Sequence, residues 1–102
     1  MNRNEVIAAI KAALKARSGK TWSVTGGRGT AYGWITISSP PARRLEFGYM
    51  SAEDRAELAK LLGKSSVHQQ GESIPAASDY YQEYIDRANG RTPSKIGQPY
   101  WD

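Results

Sequence analysis

From Thr21 to Ser38 the chain alternates apolar and polar residues on both sides of a glycine-rich break. In "TWSVT", Trp22 and Val24 alternate with Thr21, Ser23 and Thr25; in "YGWITIS", Ile35 and Ile37 alternate with Tyr32, Trp34, Thr36 and Ser38. A period of two in β-branched and aromatic residues is a strand pattern. The "GGRGTAYG" between the runs supplies glycines that permit tight reversal, so the stretch reads as a β-hairpin. Strand side chains alternate between faces. If Trp22, Val24, Ile35 and Ile37 join a core, Tyr32, Trp34, Thr36 and the Thr/Ser set lie on the other face. That face then needs a cover, from this chain or from a partner.

The hairpin is flanked by helical patterns. Residues 3–17 place Val6, Ile7, Ile10, Ala13 and Leu14 on one face, with capping-box spacing at Asn2 and Glu5 and Gly19 at a C-cap position. Ser51 and Asp54 have the spacing that starts a second helix over 52–62, closed by Gly63, with Leu58, Ala59, Leu61 and Leu62 inward. A third helix is expected over about 79–89, capped near Ser78, with Tyr81, Tyr84, Ile85 and Ala88 on one face. The prolines of "SSPPARRLEF" end the second strand, and Arg44–Phe47 has the pattern of a short third strand. "KSSVHQQGESIP" reads as a loop with room for a short strand at Ser66–His68. The expected fold is a small two-layer α+β domain in the order α-β-β-α-α, its antiparallel hairpin packed on helices. With 102 residues the expectation is a single domain, 1–90 forming the core and 91–102 a strap or tail. The tail's Ile96, Tyr100 and Trp101 either pack back on the body or offer "PYWD" as a docking peptide.

The chain has no cysteine, which removes disulfides and thiolate metal sites and suits a cytoplasmic protein. The N-terminus lacks signal-peptide features and no apolar run is long enough to span a bilayer, so no membrane partner is expected. "LGKSS" at 62–66 has the tail of a phosphate-binding P-loop, but Leu58 stands where its first glycine belongs and a helix precedes it. "GGRGTAY" places Tyr32 where a dinucleotide fingerprint needs its third glycine, and it joins strand to strand. His68 is the only histidine and lies beside glutamines, so neither a Ser-His-Asp set nor a zinc site can be assembled. Glu53, Asp54 and Glu57 read as acids near a helix N-terminus, and Asp79, Glu83 and Asp86 as a solvated helix face. No catalytic residue, cofactor or metal is expected; the chain reads as a non-enzymatic binding protein.

The net charge of +4 is uneven: residues 1–47 carry eight Lys/Arg against two acids, and 48–102 carry six against eight. A positive N-terminal half attracts a polyanion or an acidic protein surface. Arg28 sits between glycines at the hairpin tip. Lys11, Lys15, Arg17 and Lys20 follow the first helix and its exit, and Arg43 and Arg44 follow the second strand. With Tyr32 and Trp34 available to stack bases, this composition suits nucleic acid. The candidate interface is therefore Arg28, Tyr32, Trp34, Lys11, Lys15, Lys20, Arg43 and Arg44. Tyr, Trp and Arg are equally the residues of protein interfaces, so an adaptor or inhibitor using the same hairpin stands as the alternative.

The order "KAALKARSGKTWSVTGGRGTAYGWITISSPP" resembles the large polyvalent protein-associated domains of phages and mobile elements over about residues 6–41. The "SVTGGRGTA-GWI" core and "GQPYWD" end resemble small uncharacterised bacterial proteins. The first resemblance implies a role near transferred DNA or host defence; neither implies catalytic residues.

Overall fold

The computed structural model describes residues 2–29 and 33–97. Among them the chain runs α1 (Arg3–Ser18), β1 (Ser23–Gly26), β2 (Trp34–Ser38), α2 (Ala52–Leu62), β3 (Glu72–Pro75) and α3 (Ser78–Ala88). It is an α+β domain with one antiparallel sheet, ordered β1-β2-β3. The third strand is the difference from the expected order, which becomes α-β-β-α-β-α. Residues 66–68 form no strand, and Arg44–Phe47 leads into a 3-10 turn over Glu46–Gly48. Tight chain reversal there puts Phe47 at φ 62, which no strand residue adopts.

Local chemistry sets the helix ends. The Asn2 side chain accepts from the Glu5 N–H at 2.9 Å and Glu5 accepts from the Asn2 N–H at 3.1 Å, completing a capping box. Gly19, at φ 74, closes α1. Ser51 caps α2 and Gly63, at φ 68, closes it. α3 starts from Ala77 with no side-chain cap, so Ser78 is the first helical residue rather than the cap.

α1 lies against β1 and α3, and α2 packs on α3 and α1. The core joins Val6, Ile10 and Leu14 of α1 to Trp22, Val24, Ile35, Ile37 and Ile74 on the sheet side and to Leu58, Leu62, Tyr84 and Ala88 on the helices. Val24 pairs with Ile37, and Ile35 with Ile74, so one sheet face is apolar across all three strands. At the start of β3, Glu72 accepts from the Tyr84 hydroxyl and pairs with Lys64 at 2.8 Å, tying β3 to α3. Burial first, and the Glu72 carboxylate next, push the Tyr84 phenol well above its ordinary value.

The acidic row on α3 is not a solvated face. Glu83 and Asp86 are buried, and they fasten residues 91–97 along the helix. Asp86 accepts from the Ser94 N–H at 3.1 Å and pairs with Arg91 at 3.1 Å; Glu83 accepts from the Gly97 N–H at 2.8 Å; Asp79 pairs with Lys95 at 2.9 Å. The fastening is polar: Ile96 remains 49% exposed. Tyr100 and Trp101 lie outside the described residues. A Cβ at Gly97 would stand 2.6 Å from the Tyr80 ring. Gly97→Ala is expected to lift the strap at a cost of about 1–3 kcal/mol, the range for overpacking. Faster amide exchange at Ser94 and residue 97, without loss of the global transition, is the expected readout; unchanged exchange would show that the strap does not depend on this contact.

Candidate nucleic-acid interface

The hairpin ladder continues one step past β1, where the Gly27 N–H donates to the Trp34 carbonyl at 2.9 Å. Arg28 therefore follows directly from the residue paired with Trp34, and it is exposed. The base of the tip is pinned from α1: Arg3 Nη1 donates to the Gly27 carbonyl at 2.9 Å. The Arg3 guanidinium lies over Gly26, where a Cβ would stand 2.6 Å from it. Thr30–Tyr32 lie outside the described residues, so Tyr32 takes no place in the geometry.

Beside the tip is the sheet's second face. Thr25, Thr36 and Ser73 form a cross-strand row, with the Thr36 and Ser73 hydroxyls 3.1 Å apart. Trp34, 41% exposed, stands at one end of this face, opposite Pro75. Neither α3 nor the strap buries it. Thr25, Ser73 and Trp34 are exposed on this face, Thr36 is half-exposed, and Ser38 at its other end is buried.

The other basic residues divide by what they touch. Lys20 pairs with Glu57 at 2.7 Å and Asp54 at 3.5 Å. Arg43 pairs with Asp54 at 3.0 Å, donates to the Thr21 carbonyl at 2.8 Å and lies 5.0 Å from the Trp22 ring centroid. Both are thus held by a local acid cluster. The Glu57 bond foremost raises the Lys20 ammonium above its ordinary value. Buried Asp54 also accepts from the Ser39 hydroxyl at 2.6 Å. Arg44 is exposed and anchored through Nε to the Ser39 carbonyl at 2.8 Å. Lys11 and Lys15 are exposed with no ion pair among the described residues. They lie on the outer face of α1, while the inner face packs on the core side of the sheet. They do not share a face with Trp34.

So the fold puts Arg28 one residue past Gly27, the backbone partner of Trp34, leaves Arg44 available, and places Lys11 and Lys15 elsewhere. Two residues outside the expected set are conspicuous: Phe47, 80% exposed, and Leu45, 58% exposed. Their loop is fixed by the Leu45 N–H on the Tyr49 carbonyl at 2.7 Å and the Gln70 side chain on the Phe47 carbonyl at 3.3 Å. His68 is exposed in the neighbouring turn, its Nδ1 accepting from the Gln70 N–H at 3.1 Å. No group of three or more His, Asp or Glu side chains is placed to hold a metal ion among the described residues. No helix among them is long and apolar enough to cross a membrane. Comparison with protein-family models, with curated proteins and with solved structures gives no match.

Proposed function

We propose that the protein binds single-stranded nucleic acid at the hairpin end of the open sheet face. The observation that carries this is the half-exposed Trp34 ring beside the exposed Thr25 and Ser73, with exposed Arg28 one residue past Gly27, the backbone partner of Trp34. An unpaired base has a free π-face for the indole, and flanking phosphates find the Arg28 guanidinium and the hairpin's glycine-rich backbone. Thr25, Thr36 and Ser73 offer hydroxyls to sugar or base edges. Arg44 adds charge; Lys20 and Arg43 contribute little, because their charges are already paired with Asp54 and Glu57.

The test is fluorescence anisotropy with a short labelled oligonucleotide across a salt series. Trp34→Ala is expected to weaken binding by about 1–3 kcal/mol, the worth of one base–aromatic stack. Arg28→Ala should flatten the log–log salt slope by about 0.7. Lys20→Ala should leave the affinity nearly unchanged. Neither Trp34 nor Arg28 is buried, so all three variants should stay folded. No binding at low salt to any oligonucleotide would falsify the proposal.

A second reading is an adaptor or inhibitor docking on a protein with an acidic surface. It is favoured by Phe47, held at φ 62 in a pinned loop and nearly fully exposed. A non-glycine residue in the left-handed region is uncommon and worth a functional question. With Leu45 and Arg44 beside it, Phe47 has the makeup of an interface anchor. Capture of a partner from nuclease-treated lysate, abolished by Phe47→Ala and not by Trp34→Ala, would select this reading.

A further inference from the structure

The three helices end around one cleft. It encloses about 320 Å³ and is lined by Arg17 from α1, Lys60 and Gly63 from the end of α2, Arg87 from α3, and Gly90 and Arg91 after it. Arg17 Nη1 donates to the carbonyls of Leu61 at 2.8 Å, Ala88 at 3.0 Å and Arg87 at 3.2 Å. Arg87 Nη1 donates to the carbonyls of Leu62 at 3.0 Å and Gly63 at 3.3 Å, and its Nε to Glu83 at 2.8 Å. Both guanidiniums are thus immobilised by helix-terminal carbonyls that need donors. Gly90 leaves room for this: a Cβ there would lie 3.0 Å from Arg17 Cζ.

Capping does not exhaust these groups. The Nη2 of Arg17 and the Nη2 of Arg87 have no protein acceptor among the described residues. Lys60, on the same wall, has no ion pair among them. Arg91 is paired with Asp86, and Glu57, on the same helix as Lys60, is bonded to Lys20. Four cations therefore face Glu83, Asp86 and three helix C-termini worth roughly half a charge each. The cleft retains about half a positive charge, and the Arg17 and Arg87 donors have already lost their rotamer freedom. Donors fixed in advance bind an oxyanion at lower entropic cost than free surface lysines.

We propose that this cleft is a phosphate site, taking either inorganic phosphate or the phosphate monoester of a small molecule such as a nucleotide. A tetrahedral oxyanion with several acceptors matches two guanidinium edges and an ammonium better than a planar carboxylate does. The site is independent of the Trp34 surface: Arg3, at the start of α1, touches the hairpin, and Arg17, in the last turn of the same helix, is about 21 Å away along its axis.

The experiment is a ¹H–¹⁵N NMR titration of the full chain at constant ionic strength, with inorganic phosphate, adenosine monophosphate and acetate in separate arms. Phosphate is expected to give saturating shifts at the amides of Gly63, Gly90, Arg91 and Thr92 and at the Nε–H of Arg17 and Arg87. Tighter binding of the nucleotide would assign the site to a monoester; equal binding would assign it to phosphate itself. Lys60→Gln, at an exposed position, should weaken phosphate about tenfold, the loss of one charge-assisted hydrogen bond. Lys11→Gln and Trp34→Ala should leave it unchanged. The proposal is overturned by unsaturated shifts, by shifts spread over all lysines, by equal response to acetate, or by indifference to Lys60→Gln.

Discussion

Trp22→Ala is expected to lower the free energy of unfolding by about 3–5 kcal/mol, the range for emptying a large aromatic site in a core. Trp22 is fully buried between α1 and the sheet. Its Nε1–H donates at 3.0 Å to the Ser18 hydroxyl, which itself donates to the Leu14 carbonyl at 2.8 Å and accepts from the Lys20 N–H at 3.1 Å. The indole thus joins the end of α1 to the start of β1, and the Arg43 guanidinium lies over its ring. Domains of this size have about 5–15 kcal/mol in total, so the variant should lose roughly a fifth or more. Urea denaturation by circular dichroism should show a lower midpoint with an unchanged slope. Trp22→Phe should cost less, keeping most of the volume and losing the hydrogen bond, worth about 1 kcal/mol. A loss under about 1 kcal/mol for Trp22→Ala would contradict the packing.

Asp54→Ala is expected to cost about 3 kcal/mol, because breaking a buried pair leaves its partners uncompensated. Arg43 has a buried Nη2 with no partner even in the intact cluster, and Ser39, also buried, would lose its acceptor. The same carboxyl makes stability depend on pH. Burial alone would raise it, but the bonds from Ser39 and Arg43 and the charges of Arg43 and Lys20 prevail and hold it below its ordinary value of 3.8. The folded state therefore binds fewer protons than the unfolded chain near that pH, and stability rises with pH there. The contribution is complete above about pH 5 and is lost as pH falls through the lowered value. Asp86, held below its ordinary value first by the Ser94 backbone N–H, acts with the same sign. Wild-type protein should lose stability steeply below about pH 4, and Asp54→Asn should lose it less steeply. Equal slopes would place the acid sensitivity elsewhere.

The features read correctly from sequence are those written in short-range pattern. The Asn2–Glu5 box, Gly19 and Gly63 depend on residues three or four apart, and the hairpin faces follow from a period of two. β3 was hidden because "ESIP" has one inward apolar residue, Ile74, and ends in a proline, so the alternation is too short to count. The burial of Glu83 and Asp86 depends on partners at 91–97, and a charged row cannot announce a strap that later residues provide. Lys20 and Arg43 are matched with Asp54 across 34 and 11 positions, so charge composition alone left them looking available. Phe47 carries no local signal for a left-handed backbone. Arg28 follows the backbone partner of Trp34 because both belong to one hairpin.

The sheet face bearing Thr25, Trp34, Thr36 and Ser73 bears on how copies of the chain meet. An uncovered sheet invites another sheet, and its edge strands invite another strand. Here both edges, β1 and β3, are four residues long. β3 ends in Pro75, which has no N–H to offer, and the end of β1 at Gly26 is overlaid by the Arg3 guanidinium. Short, interrupted edges give an incoming strand little ladder to extend. The face itself is mostly Thr and Ser, with Trp34 as its large apolar side chain, so stacking two faces would dehydrate many hydroxyls for little apolar gain. Short, interrupted edges and a hydroxyl-rich face thus give copies of the chain little reason to grow into a fibre at high concentration.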